Sequence, residues 1–111
     1  MTTLIARDEL QAEIAAGAVI VIDALPKSYY VQQHLPTAIN IVEEDVAALA
    51  AVLLRDVDAP IVTYCSNEAC ANSGRVATRL EALGYRNVRK YREGIQDWVD
   101  AGLPTEGAAA A

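Results

Sequence analysis

Hydrophobic and polar positions along this chain change period several times, and each change marks an element. Val19 to Ile22 and Ile61 to Tyr64 are short, almost unbroken runs rich in β-branched residues. Such runs predict strands covered on both faces, as in a parallel sheet. Ala38 to Ile41 and Val88 to Tyr91 predict two further strands, and Thr3 to Ile5 a short edge strand. Between them the spacing becomes helical. Leu10 and Ile14 share a face behind Asp8 and Glu9, whose charges suit a helix amino terminus, and Gly17 ends that helix. A short helix is expected around Ser28 to Gln32, after Pro26. Val46, Leu49, Ala50, Leu53 and Leu54 form an amphipathic stripe behind the acidic Glu43, Glu44 and Asp45. From Asn72, Val76, Ala77, Leu80 and Leu83 recur at helical spacing, and Gly84 stands where a left-handed cap is needed. A last helix opens at Gly94 with Ile95, Trp98 and Val99 inward, and Gly102 and Pro104 stop it. Strands alternating with helices predict an α/β fold, a small parallel sheet with helices on both faces. Residues 1–105 read as one domain, and residues 106–111, which lack periodicity, as a flexible C-terminal tail.

Composition narrows the class. With 111 residues there is room for one modest core, and 53% hydrophobic residues exclude a disordered chain. Phe is absent, so the core is expected to consist mainly of Val, Ile, Leu and Ala. A net charge of −6 argues against nucleic acid or an anionic membrane as the main partner, because both attract basic patches. No apolar run approaches the roughly 18 residues of a membrane-spanning helix. The first residues lack the basic start and long apolar region of a signal peptide, so a cytoplasmic location is expected. Two closely spaced cysteines are too few for a disulfide scaffold and point to sulfur or redox chemistry.

Cys65 directly follows the strand at 61–64 and precedes the helix that opens at Asn72. A thiol between a strand's carboxyl end and a helix amino end meets free N–H groups and a positive dipole, which lower its pKa. The resulting thiolate is a nucleophile in the region where open α/β sheets bind ligands. The plainer reading of Cys65 is a buried structural thiol. Cys70 likewise has two readings, a small apolar residue at the helix start or a resolving thiol. Glu68 is either a solvated loop residue or a carboxylate that opposes thiolate formation and repels a dianion; no Arg or Lys lies between Cys65 and Ser73. A dianionic ligand such as thiosulfate is therefore expected to be disfavoured at this loop. Arg75 and Arg79 read as a solvated helix face pairing with Glu81 or neighbouring acids. Arg92, on a loop bordering the same end of the sheet, is the best candidate to meet an anionic group, with solvent exposure its default. Cys65, Cys70 and His34 match no zinc-ligand spacing, and neither a metal nor a cofactor is expected.

Several segments, in order, resemble the single-domain rhodanese-like sulfurtransferase family. They are Val21-Ile22-Asp23-Ala24, His34-Leu35-Pro36-Thr37-Ala38-Ile39-Asn40-Ile41, Tyr64-Cys65, Leu83-Gly84-Tyr85-Arg86-Asn87-Val88 and Gly94-Ile95-Gln96-Asp97-Trp98 through Gly102-Leu103-Pro104. The resemblance implies that Cys65 is catalytic, accepting a sulfane sulfur as a persulfide and yielding it to a thiol or other acceptor. Loop amides contributed by Ser66, Asn67, Glu68, Ala69 and Ala71 would hold the charged terminal sulfur. It further implies structural roles for Asp23 and His34 and a core position for Trp98. The implied partners are a sulfur donor (persulfide or thiosulfate) and a thiol acceptor, which another protein could supply. The chain departs from the family at Leu25, where an arginine is usual, at Ala71, where a serine is common, and at Glu93-Gly94, where a Gly-Gly pair is usual. Phosphatases of the same fold carry an arginine at the position of Ala71, so phosphate or arsenate chemistry is not expected. Two alternatives stay open: a non-catalytic protein-binding module, and a thiol-disulfide redox protein using Cys65 and Cys70.

Overall fold

A computed structural model of the chain describes residues 2–108. Five strands form a sheet in which every pairing is parallel: β1 (Thr3–Leu4), β2 (Ile20–Asp23), β3 (Ile39–Asn40), β4 (Ile61–Tyr64) and β5 (Val88–Tyr91). Their order across the sheet is β1-β5-β4-β2-β3, which puts the predicted apolar run at 61–64 in the centre. Five α-helices alternate with them: α1 (Arg7–Ala15), α2 (Lys27–Gln32), α3 (Val46–Leu53), α4 (Asn72–Ala82) and α5 (Gly94–Asp100). Glu43–Asp45 form a single 3-10 turn leading into α3, so the three acids precede that helix instead of opening it.

Alternation along the strands divides the interior into two layers. Ile22, Ile61 and Val88 face one way, against Val46 and Ala50 of α3 and Val76, Ala77 and Leu80 of α4. Val21, Val62, Tyr64 and Tyr91 face the other, against Leu10 of α1 and Trp98 of α5. A strand with apolar neighbours on both sides is hydrophobic nearly throughout; in 61–64 the polar Thr63 is buried and donates to the Ser73 carbonyl at 3.0 Å. Leu53 and Val99, expected to point inward, are exposed; each lies beside the buried stripe of its helix and not on it.

The core consists mainly of Val, Ile, Leu and Ala, as expected of a chain without Phe. Its largest fully buried side chains are Trp98, Tyr64 and Tyr91. Each brings a polar group that must be satisfied, and each is. The Trp98 indole donates to the Pro104 carbonyl at 2.8 Å, and the Tyr91 hydroxyl to Asp97 Oδ2 at 2.6 Å.

The C-terminal segment also departs from expectation. His34 and Glu106 exchange backbone hydrogen bonds at 2.9 Å, and the Ala108 N–H donates to the Val31 carbonyl at 2.9 Å. Gly107 lies at φ 118, so close to α2 that a Cβ would stand 2.7 Å from the Gln32 carbonyl oxygen. Residues 106–108 are thus tied to the end of α2 and are not a loose tail; residues 109–111 lie outside the described residues.

Candidate active site

The carboxyl ends of β2 and β4 are adjacent, with Asp23 in register with Tyr64. Asp23 is completely buried, and both its oxygens are engaged. Oδ1 accepts from the Leu25 N–H at 2.8 Å, and Oδ2 from the Tyr64 hydroxyl at 2.6 Å. That hydroxyl in turn accepts from the Leu35 N–H at 3.0 Å. The Asn40 side chain donates to the carbonyls of Asp23 (3.0 Å) and Leu25 (2.8 Å). Burial pushes the Asp23 pKa up, and the donors from Tyr64 and Leu25 offset part of that rise. Asp23 is thus hydrogen-bonded to both the neighbouring strand and the loop after β2. Tyr64 acts in the same network, a role the sequence reading missed because its partner lies 41 residues away on another strand.

One residue beyond Tyr64, the chain leaves the sheet and is caught by α5. The Ile95 N–H donates to the Cys65 carbonyl at 2.9 Å and the Gln96 N–H to the Ser66 carbonyl at 3.0 Å. Gly94 makes this approach possible. It sits at φ 75, and a Cβ there would lie 2.6 Å from the Cys65 oxygen and from the Ser66 carbonyl carbon. The loop then folds on Asn67, whose side-chain oxygen accepts from the Ala69 N–H at 2.9 Å and whose backbone carbonyl accepts from the Cys70 N–H at 3.1 Å. α4 begins at Asn72, anchored by its side chain to the Ala24 carbonyl at 3.3 Å.

The two cysteines are unpaired in a disulfide and differ sharply in setting. Cys65 is 1% exposed and belongs to the apolar cluster between the sheet and helices α3 and α4. Its thiol donates toward the Cys70 carbonyl and the Ser73 hydroxyl, each at 3.4 Å. Burial pushes its pKa up, the hydrogen bond with the Cys70 side chain adds to the rise, and the Ser73 hydroxyl and N–H oppose it. The expectation of a lowered pKa at Cys65 is thus corrected: loss of hydration outweighs the donors at the start of α4. Cys70, by contrast, is only half-buried. Burial works against its thiolate too, but is outweighed by hydrogen bonds from the Cys65 thiol, the Asn72 and Ser66 N–H groups and the Ser66 hydroxyl, so its pKa is lowered.

Of the other loop residues, Ser66 and Asn67 are half-buried, while Glu68, Ala69 and Ala71 are exposed. Asn67, Glu68 and Ala69 line a shallow acidic depression with Glu93, Asp97 and Asp100. On the other side a cleft of about 600 Å³ is bordered by Lys27, Tyr30, Asn40, Asn72 and Arg75, with Glu43 and Glu44 at its wall. Asn72 belongs both to this cleft and to the surroundings of Cys70. Arg75 borders this cleft and is exposed, as a solvated helix face implies, and Arg79 pairs with the neighbouring acid Glu43 at 3.0 Å. Arg92 is exposed and makes no ion pair among the described residues. His34 stands apart from the sulfurs: Nδ1 bonds the Tyr30 carbonyl at 2.6 Å, its ring stacks on Tyr30 at 3.9 Å, and Nε2 faces Glu106 at 3.8 Å. Among the described residues no three His, Cys, Asp or Glu side chains are grouped to hold a metal ion, and no helix is long and apolar enough to cross a membrane.

This arrangement has close counterparts. The family model for the rhodanese-like domain matches residues 6–101. An HTH-type transcriptional regulator of Mycobacterium tuberculosis, Rv0324, is 35% identical over 105 residues, which are 95% of this chain and 45% of that protein. The chain thus spans about half the length of that curated relative. The crystal structure of the BH2092 protein from Bacillus halodurans superposes with a TM-score of 0.89 at 26% identity, covering 98% of this chain and 80% of the other. The human single-domain sulfurtransferase TSTD1 superposes with a TM-score of 0.75 at 18% identity, over 90% of this chain and 97% of its own, a likeness of fold.

Proposed function

The chain belongs to the rhodanese-like domain family, and from that premise we propose that it is a sulfurtransferase that carries a sulfane sulfur as a persulfide within the Cys65–Cys70 thiol pair and passes it to a thiol acceptor. One observation carries the reading: two free thiols stand in the loop between the carboxyl end of the central strand and the first N–H groups of α4. Such donors stabilise a thiolate before attack and a charged terminal sulfur after it. Cys65 holds the place the family resemblance gives to the carrier; Cys70 has the better access. The acidic border formed by Glu68, Glu93, Asp97 and Asp100 repels a dianion, which favours a persulfide over thiosulfate as donor. Two reduced thiols so close together suit a reducing compartment such as the cytoplasm.

Intact-mass measurement after incubation with glutathione persulfide, and separately with thiosulfate, tests this. The wild type gains one sulfur atom, faster from the persulfide, and the double variant Cys65→Ser/Cys70→Ser gains none. Absence of any sulfur adduct on the wild type with either donor would sink the reading. A second reading, a non-catalytic regulatory module, is favoured by the identity to part of a transcriptional regulator. Under it, the same experiment gives no adduct, and a co-purifying protein partner carries the function.

A further inference from the structure

Independently of the sulfur-transfer reading, we propose that the exposed face of α3 docks a second copy of this chain, the two α3 helices packing antiparallel about a two-fold axis. The helix carries no polar side chain: Val46-Ala47-Ala48-Leu49-Ala50-Ala51-Val52-Leu53, continued by Leu54. Only part of it serves the core. Val46, Ala50 and Leu54 are buried in the layer shared with α4, whereas Ala47, Ala48, Ala51, Val52 and Leu53 are exposed. A single exposed valine or leucine is ordinary. Here Val52 at 63% and Leu53 at 49% stand on one helix. Leu83, 49% exposed at the end of α4, extends the patch across a hollow of about 180 Å³ that it lines with Val46, Ala47, Arg79 and Ala82. A helix that is apolar on every side belongs in a buried setting, and a contiguous apolar patch marks an interaction surface.

Charge selects the partner and its orientation. With a net charge of −6, two copies repel each other unless their contact is uncharged and its margins are complementary. Both conditions hold. The acids Glu43, Glu44 and Asp45 precede α3, and Arg55 follows it. Glu43 is already paired with Arg79 at 3.0 Å. Asp56, beside Arg55, turns its carboxylate into its own loop and accepts from the Asp58 N–H at 2.9 Å. That leaves Glu44 and Asp45 exposed at one end of the face and Arg55 exposed at the other, none of them in an ion pair among the described residues. In a parallel arrangement like ends would meet. In an antiparallel one Asp45 of each copy faces Arg55 of the other, twice over, and the opposed helix dipoles add to the preference.

The same register suits the packing. Ala48 and Val52 lie one turn apart on one side of the helix. A two-fold axis at the level of Ala50 therefore sets Val52 of each copy over Ala48 of the other, a larger side chain over a small one. The size of the face sets the strength. Eight residues span about 12 Å, so each copy contributes on the order of a few hundred Å², below the roughly 800 Å² per partner of a standard interface. The pair is accordingly weak, with a Kd of about 0.1 mM.

Sedimentation equilibrium of the full chain tests this. The weight-average mass rises from 11.9 kDa at low micromolar concentration toward twice that value near about 1 mM. Val52→Asp puts a carboxylate at the centre of the face and holds the mass at the monomer value throughout. Arg55→Glu alone, and Asp45→Arg alone, each set like charges together at both margins and weaken association about tenfold or more. Combined in one chain, Asp45→Arg/Arg55→Glu restores it, because the exchanged charges again stand opposite each other; that recovery also shows that neither single change acts by unfolding the chain. A wild type that stays monomeric up to about 1 mM leaves the face to some other occupant and overturns the proposal. Association that survives Val52→Asp overturns it as well, and so does a double exchange that fails to recover what the single changes lose.

Discussion

Asp23 and Cys65 stand at the carboxyl ends of neighbouring strands, both buried, both with burial raising their pKa, yet they are held in opposite ways. The carboxylate meets two short hydrogen bonds, 2.8 and 2.6 Å, and through Tyr64 and Asn40 it joins β2, β4 and the segment around Leu35. The thiol meets only long contacts of 3.4 Å, while its backbone carbonyl is seized by α5. At one strand end the side chain is the anchor. At the other the main chain is the anchor, and the side chain makes only the two thiol contacts. Burial alone therefore does not distinguish a structural polar group from a chemical one; the satisfaction of its hydrogen bonds does.

The strongest way to break this comparison is Gly94→Ala, because it strikes the main-chain anchor. Its Cβ would collide with the Cys65 and Ser66 carbonyls at 2.6 Å and the residue would be held at φ 75. A loss of about 4 kcal/mol in chemical denaturation is expected, with sulfur uptake falling as the loop shifts. Asp23→Ala attacks the other strand end and leaves the Tyr64 hydroxyl and Leu25 N–H with a partner missing. It costs about 3 kcal/mol by the same measurement, while the relative alkylation rates of the two cysteines stay nearly unchanged. Should Asp23→Ala cost nothing, the side-chain anchor would be a fiction. Tyr64→Phe removes one of the two donors and the acceptor of the Leu35 N–H, for a loss of about 1.5 kcal/mol.

The smallest effect is a pH dependence. The Asp23 pKa is higher folded than its ordinary value of 3.8, so the folded state binds this proton more tightly than the unfolded chain does. Its contribution to stability is fully present below 3.8 and is lost as pH rises from there through the raised value. Asp23→Asn lacks that proton equilibrium. The stability of wild type minus Asp23→Asn should therefore decline as pH rises through this window, and a flat difference would contradict the assigned direction.

What the sequence disclosed follows from range. The strands and helices were readable because periodicity is local, and so were the placements of Asp23 and Cys65 at strand ends, which need only the point where an apolar run stops. The side to which Cys65 points was also within reach: it shares parity with Ile61 along β4 and so faces the same apolar layer. What remained hidden depends on partners distant in the chain. The Tyr64–Asp23 bond joins residues from different strands, and nothing near Tyr64 announces it. The division of donors between the two cysteines depends on how the loop closes around Asn67, a side-chain turn with no periodic signature. The attachment of Glu106 to His34 is likewise a tertiary pairing, so a segment without pattern read as free.

Tyr30 has a consequence larger than its single position. Its hydroxyl bonds the Ala38 carbonyl at 2.6 Å, its ring lies on His34, and the same residue borders the cleft that Asn72 and Arg75 line. His34 is in turn clasped by Glu106. Residues 106–108 thus act as a rivet behind one wall of that recess, holding Tyr30 through His34.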